Sequence, residues 1–201
     1  FIFTVSGQIP DQAIIPFHLD IHATNGDWDF GDITLTAHAP VLVYNSKQTD
    51  DIGGNGNGKP DPGEICNMDV TLRNNGSAGE VGISGTLSCS DPYVAVTVSN
   101  ASYQDIPAGG AGSSLTPYRF SVSNNCPMGY HASMILHISG GGGYTSSDTL
   151  DVLIGQTPIL FVDDDGGGSY ETYFLPALDS LGLMYDVWTY ATQGAPADSV
   201  L

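Results

Sequence analysis

Apolar and polar residues alternate along most of this chain. The runs are Phe1, Phe3 and Val5; Phe17, Leu19 and Ile21; Val70 and Leu72; Val94, Val96 and Val98; Phe120 and Val122; Leu136 and Ile138; and Leu150, Val152 and Ile154. Successive side chains of an extended strand point to opposite faces. A period of two bounded by Gly, Asn, Asp and Pro therefore predicts short, half-buried antiparallel strands. About seven such runs fall between Gly63 and Gly155, at the spacing of two packed sheets. The expected fold is mainly β, built on an immunoglobulin-like antiparallel β-sandwich.

The texture changes after Pro158. Ile159 to Asp165 is a continuous apolar run ending in three carboxylates, and a Gly-rich turn follows. Tyr173, Phe174, Leu178 and Leu181 then recur at helical spacing within Tyr170 to Leu183, with Pro176 inside and Gly182 as a stop. Tyr185 to Tyr190 reads as a second strand, and Ala195 to Leu201 is compatible with another helix. Strand, helix, strand is the opening of a parallel α/β sheet.

One stretch occurs twice. Phe1 to Ala23 aligns without a gap on Tyr118 to Gly140, an offset of 118 − 1 = 117 residues, and six of the 23 positions are identical. They are Phe3/Phe120, Val5/Val122, Ser6/Ser123, Pro10/Pro127, Leu19/Leu136 and Ile21/Ile138. A period this long marks domain-sized units in series. Residues 1–39 are expected to be the C-terminal strands of one sandwich, 40–157 a complete second one, and 158–201 the start of an α/β domain. On this reading the chain is part of a larger protein.

Charge narrows the partners. Four Lys+Arg against 22 Asp+Glu give a net charge of −18, which repels phosphate backbones and excludes nucleic acid. The same surface suits hard divalent cations, which bind through carboxylate and carbonyl oxygens. No apolar run reaches the roughly 18 residues of a transmembrane segment. Three cysteines allow one bridge, Cys89 with Cys126 at two strand ends, or free thiols throughout. Ile9 stands where the offset places Cys126, so the fold does not require the bridge.

The best local site is Asp50 to Glu64, DDIGGNGNGKPDPGE. Against the calcium-loop pattern Asp-x-Asx-x-Asx-Gly with a closing Glu, Asn55, Asn57, Gly58 and Glu64 fall in register, and Gly53 takes the first Asp position. Asp50, Asp51 and Asp61 lie near enough to supply the missing charge. Calcium takes about six to eight oxygens from a sharply turning chain, which is why Gly alternates with Asn and Asp. Structural Ca2+ held by Asp50, Asp51, Asn55, Asn57, Asp61 and Glu64 is the expectation, and a solvated linker into the first strand is the alternative. Pro60 and Pro62 prevent a flanking helix, so such a site would stiffen a joint between units.

Other clusters carry weaker signals. Asp163, Asp164 and Asp165 end a parallel strand, where open α/β sheets place ligands; they read as a metal or substrate crevice or as an acidic cap on a turn. His18, Asp20 and His22 share one strand face, which suits zinc, but the repeat places Ile135, His137 and Ser139 there, so a solvated outer face is favoured. Asn75-Gly-Ser77 and Asn100-Ala-Ser102 match the N-glycosylation pattern. No Gly-x-Ser-x-Gly elbow, His-Glu-x-x-His, phosphate loop or Cys-x-x-Cys occurs, and catalysis within these residues is not expected.

The segment Asp50 to Glu64, with Val70-Thr-Leu-Arg-Asn-Asn-Gly76, Gly85-Thr-Leu-Ser88, Asp91-Pro-Tyr-Val94, Ile106-Pro-Ala-Gly109 and Phe120-Ser-Val-Ser123, resembles CARDB-like and related immunoglobulin-like modules. These occur in series in large secreted bacterial proteins, many attached to subtilisin-like or gingipain-like peptidases. The resemblance covers residues 40–157 and the tail of a preceding copy. Ile159 to Trp188 similarly resembles the opening of a glutamine-amidotransferase-like α/β domain. The resemblance implies a secreted or surface-attached setting and a spacer, adhesion or scaffold role with a protein or cell-surface partner. Two rivals are an accessory region of a secreted peptidase whose catalytic domain lies elsewhere, and a subunit of a self-assembling filament or sheath. In the second rival, open faces and strand edges would be completed by a neighbour.

Overall fold

The computed structural model describes residues 2–196 apart from 53, 55, 57, 156–158 and 184. Its strands are β1 (Ile14–Ala23), β2 (Gly26–Thr36), β3 (Leu42–Asp51), β4 (Ile65–Asn74), β5 (Ser84–Cys89), β6 (Val94–Val98) and β7 (Asn100–Ser102). They continue as β8 (Ala111–Ser113), β9 (Tyr118–Val122), β10 (Tyr130–Ser139), β11 (Thr145–Ile154) and β12 (Ile159–Asp163). Helix α1 (Glu171–Ser180), β13 (Tyr185–Thr189) and a short α2 (Tyr190–Gln193) follow. The chain is mainly β, with several antiparallel sheets, as its alternation predicts.

Two of those sheets face each other. One has the order β3-β4-β9-β6, with β8 also on β4, and the other β11-β10-β5-β7. Lettering β3, β4, β5, β9, β10 and β11 as A, B, C, E, F and G gives the A-B-E and C-F-G pairing of an immunoglobulin-like sandwich, with β6 and β7 at the edges. Alternation puts Cys66, Met68, Val70 and Leu72 of β4 inward, opposite Ala132, Met134, Leu136 and Ile138 of β10. With Tyr118, Phe120, Leu150 and Val152 they form one continuous buried cluster. Burial of each large side chain contributes about 1.5–3 kcal/mol. At the core's margin the buried amide of Asn74 is satisfied on both ends. Its oxygen accepts from the N–H groups of Val41 and Gly76, and its nitrogen donates to the carbonyls of Ala78 and Ile106.

The β1–β2 hairpin reproduces β10–β11 at the 117-residue offset. Ile14↔Thr36 through His18↔Asp32 map one for one onto His131↔Leu153 through Ile135↔Thr149. The approach matches as well: Ile9 N–H donates to Ser6 O as Cys126 N–H does to Ser123 O, and Gln12 N–H to Ala37 O as Gly129 N–H does to Ile154 O. Gln12 is the sole non-glycine with positive φ among the described residues, at 62°, and it stands where the other copy has Gly129 at 72°. The copies diverge after His18, where a bulge shifts the register before Asp20↔Asp29.

Two expectations are corrected. Residues 2–5 form no strand, although Tyr118–Val122 do; β9 has β4 and β6 to pair with, while β1–β2 is a two-stranded sheet. Phe1 lies outside the described residues. The helix predicted over Tyr170 to Leu183 is shorter, Glu171–Ser180, and it retains Pro176. β12 and β13 pair in parallel across it, as expected of a βαβ unit, but α1 buries none of its residues, and Phe174 stacks only obliquely on Phe161 at 5.9 Å. The helix considered over Ala195 to Leu201 falls largely outside the described residues.

Candidate metal centre

The acidic loop connects β3 to β4 within the sandwich, so it is not a joint between units. Asp51 ends β3, faces inward and is only 6% exposed. A carboxylate so placed needs donors, and the loop folds back to supply them. Gly56 N–H donates to Oδ2 at 2.6 Å and Gly58 N–H to Oδ1 at 3.1 Å. Gly56 and Gly58 have φ of 78° and 72°, a region favouring glycine, so the Gly-rich spacing follows from this wrapping.

Glu64 closes the loop. Its Oε2 accepts from Asp61 N–H at 3.0 Å, and its own N–H returns to Asp61 O at 3.2 Å. A Cβ on Gly54 would collide with Oε1 of Glu64 and lie 3.0 Å from Oδ2 of Asp51. Both carboxylates therefore border the space that Gly54 leaves open. The neighbouring thiol registers the same crowding: the pKa of Cys66, opposite Asp51 in the ladder, is pushed up to about 12 by burial and then by Glu64, Asp51, Asp61 and Asp50.

Of the predicted ligands, the structure brings the carboxylates of Asp51 and Glu64 to the space beside Gly54, while Asp61 meets Glu64 through its backbone N–H. Asp50 is exposed, as strand alternation requires of the neighbour of an inward Asp51. Asn55 and Asn57 lie outside the described residues. Carboxylates are hard-cation donors, and a divalent ion between them would offset the repulsion between Asp51 and Glu64. The loop also abuts the exit of the sandwich, where Gly155 N–H donates to Pro60 O at 2.6 Å.

Two further groups are brought together. His18 Nε2 lies 3.2 Å from Asp20 and 3.5 Å from Asp29, while Nδ1 is 3.1 Å from Asp32. His22 pairs separately with Asp27, so the set His18, Asp20 and His22 is not assembled. Asp29 comes from β2 and was visible only once the hairpin register was known. At the carboxyl end of β12, ligand atoms of Asp163, Asp165 and Glu171 lie within 4.8 Å of one another, without Asp164. Asp165 accepts from the N–H groups of Gly167 and Tyr170, which makes it a brace for the turn into α1. All three cysteines are free, so the Cys89–Cys126 bridge is not formed.

No family model matches the chain, and no curated protein matches it. Among solved structures, Spo0M, sporulation control protein, from Bacillus subtilis aligns over 73% of this chain and 56% of its own, at 15% identity and a TM-score of 0.29. BcpA, the major pilin subunit of Bacillus cereus, aligns over 75% and 52%, at 11% identity and a TM-score of 0.30. The chain thus spans about half the length of these proteins. Overlaps this loose fix neither a shared topology nor a shared role. No helix among the described residues is long and apolar enough to cross a membrane.

Proposed function

We propose that this chain is a non-catalytic structural segment, a spacer or presenting scaffold, of a secreted or surface-attached bacterial protein built from serial sandwich modules. The observation that carries the reading is the match between the two hairpins, in register and in the turns that lead into them, at one fixed offset. Units repeated in this way each hold their own core, and such arrays set distance and orientation. Residues 1–39 are then the end of one module, 40–157 a complete one, and 158–201 the opening of an α/β domain. Adhesion to a protein or cell-surface partner fits the same arrangement. An accessory role beside a secreted peptidase, as the resemblance to CARDB-like modules suggests, keeps catalysis outside these residues.

Calcium in the β3–β4 loop is the second part of the proposal, supported by the buried Asp51 and its approach to Glu64. With Ca2+ at a hundredfold excess over its dissociation constant, binding adds about 2.7 kcal/mol, or on the order of 10 °C in melting temperature. Thermal unfolding in chelator and in Ca2+, for the native chain and for Glu64→Ala, tests this. Equal melting temperatures for the native chain in both buffers would retire the calcium.

A further inference from the structure

One face of the β1–β2 hairpin is apolar and bare. Phe3, Val5, Ile21, Ile33 and Leu35 are 54, 41, 41, 46 and 43% exposed. Their counterparts 117 residues on, Phe120, Val122, Ile138, Leu150 and Val152, are 0, 5, 1, 0 and 1% exposed. What covers the second set is plain. The sheet β3-β4-β9-β6, which itself carries Phe120 and Val122, lies across Ile138, Leu150 and Val152, and β5 pairs antiparallel with the outer edge of β10 from Met134 to Ser139. The first hairpin has the same face and the same edge, and among the described residues its β1 pairs with β2 alone.

We propose that the free edge of β1, Phe17 to His22, and the groove lined by Phe3, Phe17, Leu19, Ile33 and Leu35 are the acceptor site for a sheet donated by the same polypeptide from the N-terminal side of residue 2. One strand, equivalent to β5, runs antiparallel along Phe17 to His22. The others lie across the groove as β3, β4 and β6 lie across β10 and β11. This rests on the serial-module reading and adds its occupant and docking register.

Three observations favour that donor over a second copy of this chain. Every strand that covers β10 and β11 precedes them in the sequence. Phe3 already rests on Phe17, at 4.9 Å between ring centroids, at the positions of Phe120 and Met134 in the complete sandwich, so the segment leading out of the donor is already seated. Two copies, each carrying −18, repel one another, whereas a tethered donor acts at high effective concentration.

The covering strands of the complete sandwich begin 118 − 42 = 76 residues ahead of β9. The test is amide hydrogen exchange on this chain and on a form extended by at least the corresponding stretch of its own polypeptide. The outward amides of β1 between Phe17 and His22 are expected to slow by more than about tenfold in the longer form, while Met134 to Ser139 exchange equally slowly in both. Unchanged exchange in β1 overturns the proposal. So does a short form that sediments as a dimer with β1 already protected, since a second copy would then be the occupant. If β1 stays open while the two-sandwich offset is kept and Ca2+ still raises the melting of β3–β11, the docking alone has failed.

Discussion

The β1–β2 and β10–β11 hairpins share five consecutive cross-strand pairs, the same turn before the first strand, and a positive-φ residue at the same place. Yet Ile33 is 46% exposed where Leu150 is fully buried. Backbone shape was therefore set by local pattern and turn chemistry, and burial by what lies opposite. Where the partner sheet is present, side chains of this kind become a core. Where it is not, they are an apolar face, and an isolated two-stranded hairpin is marginal in water.

The largest expected effect breaks that symmetry. Leu150→Ala should destabilise the β3–β11 sandwich by about 2–5 kcal/mol, because it empties a packed site. Ile33→Ala, at the matching place, should cost under about 1 kcal/mol in this chain. Urea unfolding measures both, and equal losses would show that β1–β2 already has a covered core.

Calcium sharpens the contrast next. Its roughly 2.7 kcal/mol at a hundredfold excess should slow exchange in β3 and β4 and leave β1 and β2 unmoved, because the loop belongs only to the complete sandwich. A change of equal size in β1 would contradict that assignment.

The turn residue comes third. Gly129→Ala places a side chain in the left-handed region at a cost of about 1–2 kcal/mol, whereas Gln12→Gly should relieve a strain already present and tighten its hairpin slightly. Thermal melts and β1 exchange rates report the two, and a stabilising Gly129→Ala would refute the parallel.

The smallest effect concerns the polar contact between hairpin and sandwich. Asp11 accepts from the backbone N–H of Ala39 and from the hydroxyl and N–H of Ser77, and these bonds hold its carboxyl below the ordinary 3.8. A depressed folded pKa means the contribution is complete above the ordinary carboxylate range and is lost as pH falls through the folded value. The contact should therefore hold at neutral pH and loosen only in acid. Titration of the Asp11 carboxyl by NMR, with Asp11→Asn as control, checks the direction; a midpoint above 3.8 would reverse it.

Much of this was legible in the chain. Alternation located β4, β9, β10 and β11 and their inward residues, since period two and burial on one face are the same fact seen twice. The apolar run and helical spacing after residue 158 located the βαβ unit. Phe1 to Val5 misled because their pattern is that of a strand, and a strand needs a neighbour. Glu171 and Asp29 escaped notice because each joins its cluster across a turn or a ladder, and sequence proximity to the other members was not the signal. At the β3–β4 loop, composition pointed to Asp50 and Asp51 alike, and only the direction of β3 at its last residue buried one and exposed the other.

The sequence by itself marked β4, β6, β9, β10 and β11 and the Gly-rich loop that wraps a carboxylate, because each depends on side-chain period and on φ preferences within a few residues. Tertiary structure alone decided which of two equivalent faces became a core, which acidic residues converge and which cysteines stay apart. Those outcomes depend on which sheet lies opposite, and that is fixed by contacts between residues far apart in the chain.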